Sequence, residues 1–169
     1  FHNTVISTRS GNTTLMRLST NDEHADVRDN VVFTTIPGSH LALLNTSGVM
    51  DLLDNWLPTG WVTSHSSFDG TLIDHGTNTV GTDPGFTDLA AQDFSPAQGS
   101  PLIDAGGTLH PDTDPDHLPL WQYRPHQLGF PRPNDGVRDL GAFEYGLLFS
   151  DGFEGGDTSA WSATTPRAS

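Results

Sequence analysis

Cysteine is absent from the 169 residues, which excludes disulfides, thiolate metal ligands and cysteine nucleophiles and leaves the redox compartment undecided. Lysine is absent too: all seven basic residues are arginine, against 21 acidic ones, for a formal net charge of −14. So acidic a surface repels nucleic-acid phosphates and anionic lipid heads, and neither is an expected partner. No window approaches the ~18 apolar residues of a membrane span, so no membrane insertion is expected. Sustained 3.6-residue apolar periodicity is missing as well, which argues against long helices. Neither a serine elbow, a P-loop nor a dinucleotide fingerprint occurs. The sequence has no initiator Met and no signal peptide, and it opens inside a strand-like run, "FHNTVIS". It therefore reads as a C-terminal fragment or processed product whose targeting information lies elsewhere.

What the chain does have is turn chemistry. Gly 18 and Pro 12, with many Ser, Thr, Asn and Asp, favour short strands joined by frequent turns. An amide recurs in register among these strands. "FHNTVIS", "RDNVVFT" and "LDNWLPT" carry Asn3, Asn30 and Asn55, and a weaker member, "GTNTVGT", carries Asn78; the steps are 27, 25 and 23 residues. "TLMRL" matches "HLALL", and "ADVRDN" matches "MDLLDN", on the same beat. Self-similarity with a period in the twenties signals a solenoid with one supersecondary unit per repeat. Two or three short strands per unit and no helical segment favour coils stacked at about 4.8 Å, as in a parallel β-helix. At equal positions on successive coils, Asn side chains can pass amide hydrogen bonds up and down the stack. The alternative use of these amides is to line a sugar-binding groove.

The segments "TDPGFTDLAAQDFSPAQGSPLIDAG" (82–106) and "PRPNDGVRDLGAFEY" (131–145) resemble the closing part of secreted bacterial right-handed parallel β-helix proteins, the pectate-lyase-like architecture. With the coils, the resemblance covers residues 1–146. It implies an all-β, right-handed parallel β-helix, of which the final three to four coils are present, followed by a loop-rich C-terminal cap. The expected division is coils over 1–81, the closing segment over 82–146 and a tail over 147–169. In the closing segment Asp104 is expected to accept hydrogen bonds from turn amides, and Arg132, Asp139 and Glu144 to form an ion-paired group. The tail stretch "FSDGFEGGDTSAW" resembles a motif at the C-termini of secreted proteobacterial proteins, which implies sorting or attachment. The resemblance also implies a secreted or cell-surface setting and an extracellular polysaccharide as partner.

It implies the fold more firmly than the activity, because this architecture carries lyases, hydrolases and adhesins alike. A lyase of this kind takes a proton beside a uronate with Arg or Lys, often with Ca²⁺ as neutraliser. Arg17 and Arg28, near Asp26 and Asp29, are the candidates, against the reading of an exposed salt bridge. A glycosidase needs facing carboxylates. The pairs Asp26/Asp29 and Asp51/Asp54 occupy equivalent positions in adjacent coils, which suggests a stacked surface row. Asp112, Asp114 and Asp116 in "HPDTDPDH" alternate as in calcium loops, but prolines replace the glycine turn. Trp56, Trp61 and Trp121 are candidates for stacking on sugars, and Trp is equally a core residue. Two functions stay open: part of a polysaccharide-degrading enzyme whose decisive residues lie mostly outside the sequence, or a non-catalytic surface solenoid that self-associates through open coil ends.

Overall fold

A computed structural model describes residues 1–124, 128–133 and 136–146; the expected tail motif over 147–169 lies outside the described residues. The chain coils through β1 (Thr4–Ser7), β2 (Thr13–Met16), β3 (His24–Arg28), β4 (Val31–Thr34), β5 (Leu41–Leu44), β6 (Val49–Leu53), β7 (Trp56–Pro58), β8 (Thr71–Asp74) and β9 (Thr79–Gly81). These strands stack into three sheets, β1-β4-β7-β9, β2-β5 and β3-β6-β8, and every pairing within them is parallel. Each coil visits the three sheets in turn, so the fold is a parallel β-solenoid of about three turns. The expected parallel β-helix is what forms.

Side-chain alternation explains the wrap. On β3, Val27 points inward while His24 and Asp26 point out, and β6 repeats the pattern with Met50 and Leu52 inside. Val27, Val32, Leu41, Leu43, Leu44, Met50, Leu52 and Leu57 fill the interior of the coils. At roughly 1.5–3 kcal/mol per buried aliphatic side chain, this strip is the main force holding the coils together.

The bend between the β3-type and β4-type strands is built the same way each time. His2, Asp29 and Asp54 take left-handed backbone angles, φ 50°, 56° and 49°. Asp is among the residues that tolerate this region. The next residue is always Asn. Asn3 Nδ2 donates to Asn30 Oδ1, Asn30 Nδ2 to Asn55 Oδ1 and Asn55 Nδ2 to Asn78 Oδ1, each at 3.0 Å. Each of the first three amides also donates to the carbonyl two residues before it, on Phe1, Arg28 and Leu53. The expected ladder therefore runs through four rungs. The last differs: Asn78 Nδ2 binds Asp74 Oδ1 at 2.9 Å in place of the carbonyl two residues before it, because three residues separate Asn78 from β8 where one separates Asn30 from β3 and Asn55 from β6.

The closing segment begins with an antiparallel hairpin, β10 (Phe86–Asp88) and β11 (Asp93–Pro96). A 3₁₀ turn (Pro111–Thr113) follows, and then a second hairpin, β12 (Trp121–Arg124) and β13 (Leu128–Pro131). It covers the coils along a flank. Val31, Phe33 and Trp56, on the outer side of the β1-β4-β7-β9 sheet, pack against Leu102 and Leu140, with Ile6 and Phe86 at the edge. That is why all four residues of β4 are buried. Trp56 is fully buried in this second core, so it is a packing residue and no sugar platform.

Polar contacts fix the same seam. Gly141 N–H donates to Asp29 O at 2.9 Å, Gly107 N–H to Asp29 Oδ1 at 2.6 Å, and Ala142 N–H to Thr4 Oγ1 at 3.0 Å. Gly141, at φ 87°, lies so close that a Cβ there would fall 2.8 Å from Val31 Cγ2. Arg132 pairs with Glu144, both buried, and its NH2 also donates to the carbonyls of Asp139 (3.2 Å) and Gly141 (3.1 Å). Asp139 serves backbone amides: Oδ1 accepts from Asp104 N–H at 2.8 Å and Oδ2 from Tyr145 N–H. Asp104 thus takes part through its backbone, at φ 54° with an exposed side chain, and among the described residues no turn amide is seen to donate to its carboxylate.

Candidate functional site

The β3-β6-β8 sheet turns its outer face to solvent, and the parallel register sets out its side chains as a grid. Asp26 lies beside Asp51, and Asp51 beside Ile73; His24 aligns with Val49 and Arg28 with Leu53. The predicted row of equivalent aspartates is therefore real for Asp26 and Asp51. Residues two apart on neighbouring strands meet diagonally. His24 reaches Asp51 Oδ2 through Nε2 at 2.6 Å, and His75 reaches Asp51 Oδ1 through Nε2 at 2.8 Å. Asp51 is thus clasped from the coils on either side. Beside it Arg28 grips Asp26 with two bonds, Nε to Oδ1 and NH2 to Oδ2, both 2.5 Å. Its NH1 donates to Thr108 O at 2.7 Å, which ties the closing segment to the rim of the face.

The result is an open cleft of about 500 Å³ lined by Asp26, Arg28, Asp51, His24, His75 and His110, with Leu53 and Pro111. Hydrogen bonds from His75 and then His24 hold the Asp51 carboxyl below its ordinary range. The Arg28 hydrogen bond does the same for Asp26, and Asp26 in turn raises Arg28. Both carboxylates are therefore ionised at neutral pH, and the guanidinium is committed to its partner. A glycosidase needs one carboxyl kept protonated, and a lyase base must give up its own proton. Asp26, Asp51 and Arg28 supply neither; they supply fixed acceptors and donors, which suit hydroxyl groups.

The other predicted site residues fall elsewhere. Asp29 is buried at the bend, where burial raises its carboxyl, and its Oδ2 lies 3.7 Å from Nε2 of the buried His2. Burial, reinforced by Arg132 and Arg138, lowers His2 to about 3, so that contact is no ion pair at neutral pH. Arg17 follows β2, on a different sheet from Arg28, and is exposed. It takes no part in the cleft. Asp112, Asp114 and Asp116 are exposed around the 3₁₀ turn, where the N–H of Asp112 donates to His110 Nδ1 at 3.2 Å. Among the described residues no group of three or more His, Asp or Glu is placed to hold a metal ion, Asp112, Asp114 and Asp116 included. Trp61 is half-buried against the interior core, whereas Trp121 is exposed on β12.

Sequence reasoning missed His24 and His75. Their signal was present: they lie 27 and 24 residues from Asp51, close to the coil period. Among the described residues no helix is long and apolar enough to cross a membrane. Neither protein-family models, nor curated proteins, nor solved structures give a match to this chain.

Proposed function

We infer that the chain is the closing part of an extracellular, pectate-lyase-like right-handed β-helix protein that engages polysaccharide, and that the cleft on the β3-β6-β8 face is where this part touches it. The observation that carries the reading is the paired, ionised array of Asp26, Arg28 and Asp51 with imidazoles around it. Vicinal hydroxyls of a pyranose offer donors to the lone pairs that the two carboxylates keep free. With both carboxylates ionised, Asp26 and Asp51 offer hydrogen-bond acceptors to a saccharide and supply no general acid. The residues behind the family resemblance support it too: Leu102 and Gly141 meet the flank of the coils, while Ser100, Asp139 and Glu144 tie the closing segment to itself. Secretion or surface display, and a sorting role for the tail, follow from the same resemblance.

A titration of the full chain with neutral and uronate oligosaccharides, read on the histidine imidazole resonances, tests this. His24, His75 and His110 should shift on binding, and Asp26→Asn/Asp51→Asn should abolish the shifts. Imidazoles that ignore every saccharide would refute the assignment.

A further inference from the structure

The hairpin β12–β13 carries an exposed aromatic pair that the cleft does not use. Trp121 and Tyr123 stand two residues apart on one strand and so share a face, about 7 Å from each other by strand rise. Directly across from them in register are Pro131 and Gly129. Neither brings a long side chain over the rings, and the rings remain 64% and 55% exposed. The opposite face of the hairpin does the packing: Gln122 is buried, with Oε1 accepting from Glu144 N–H at 2.9 Å, and its partner Phe130 is half-buried. Among the described residues the hairpin is thus anchored on one side and presents two exposed aromatic residues on the other.

We propose that Trp121 and Tyr123 form a stacking platform for a chain of neutral pyranose sugars. Three observations select this occupant. Two rings of 150–250 Å² at these exposures offer at most about 300 Å², well short of the roughly 800 Å² per partner of a stable protein interface. A net charge of −14 opposes the anionic polymers that also stack on aromatic pairs, single-stranded nucleic acid first among them. Tyr123 and Pro131, which share the platform's face, also reach the edge of a groove of about 870 Å³ that runs under the hairpin's packing side, where Phe94, Phe130 and Phe143 line it with Gln122, Ser95, Asp93 and Glu144 as polar groups; Trp121 stays outside it. An aromatic bed with a few polar groups suits the apolar faces and hydroxyl rims of successive sugar rings. The platform stands independently of the cleft, with which it shares no residue.

Retention of the full 169-residue chain on insoluble xylan, β-glucan and galactomannan tests it, with polygalacturonate as the charged comparison. At least one neutral polymer should retain the chain. Trp121→Ala and Tyr123→Ala should each weaken retention about tenfold or more, Trp121→Phe should keep most of it, and Asp26→Asn/Asp51→Asn should leave these two losses intact. Absence of retention on all three neutral polymers, or retention indifferent to Trp121→Ala and Tyr123→Ala, overturns the proposal. So does dimerisation of the wild type that Trp121→Ala abolishes. Loss of the histidine shifts alone would strike the cleft and leave the platform standing.

Discussion

Asn55→Ala removes the central rung of the amide ladder, and its cost can be worked from the bonds it breaks. Asn55 is fully buried. Its Oδ1 accepts from the Asn30 N–H and from Asn30 Nδ2, both at 3.0 Å. Its Nδ2 donates to Val27 O (2.9 Å), Leu53 O (2.7 Å) and Asn78 Oδ1 (3.0 Å). Alanine leaves the buried Asn30 N–H without that acceptor, at about 1–3 kcal/mol, and deprives two carbonyls of a donor, at about 1 kcal/mol each. Asn30 Nδ2 keeps Arg28 O, and Asn78 Oδ1 keeps the Asn55 N–H, so neither adds a full penalty. The expected loss is about 3–5 kcal/mol, a large share of a typical domain's total stability of about 5–15 kcal/mol. Asn3 makes the same kind of bonds at an exposed position where water can replace them, so Asn3→Ala should cost about 0.5 kcal/mol or less. Urea unfolding of both variants gives the comparison. Equal, small losses at Asn55 and Asn3 would refute the ladder as a source of stability.

Other perturbations follow from the same geometry. Asp139→Ala strips the acceptors from the Asp104 and Tyr145 amides at the seam and should cost about 3 kcal/mol, a melting-temperature drop of about 10 °C; an unchanged melting curve would contradict a pinned flank. His2 is lowered to about 3, so the unfolded chain binds its proton first and stability falls as pH drops from 6.5 toward 3. Asp29 is raised, so its stabilisation is present at low pH and fades as pH climbs through its folded pKa, opposing His2 above 3.8. His2→Gln should therefore flatten the acid limb of the stability–pH curve, and an unaltered slope between pH 6.5 and 3 would argue against a neutral buried His2. In the cleft, carbon NMR should find the Asp51 carboxyl titrating below 3.8, and His75→Ala should move it back toward that value.

The coil order was legible because it rests on local repetition. Asn3, Asn30 and Asn55 sit on stretches whose apolar spacing and turn residues agree, and in-register stacking turns that agreement into a ladder. The direction of the closing segment was not legible. Val31, Phe33 and Trp56 look like ordinary strand residues, and only the folded chain shows that they are a second, outward core waiting for Leu102 and Leu140. For the same reason Trp56 was a candidate for sugar stacking until its burial excluded it. In the site, Arg28 and Asp26 were found because they are two residues apart on one strand. Asp29 was grouped with them wrongly: the left-handed turn at that residue swings its carboxylate to the seam, a change of direction that spacing alone does not reveal. His24 and His75 went unread because their partner lies across strands, on a diagonal set by register.

Whether the β3-β6-β8 face holds saccharide without cutting it is read most directly from one mixture. The full chain is incubated with a uronate polymer and a neutral polymer, with and without calcium, while bound protein and chain scission are followed together. In a Trp121→Ala background, binding that Asp26→Asn/Asp51→Asn weakens, with neither unsaturated product nor new reducing ends, is the expected result. Turnover by this chain, lost in the same double variant, would contradict it.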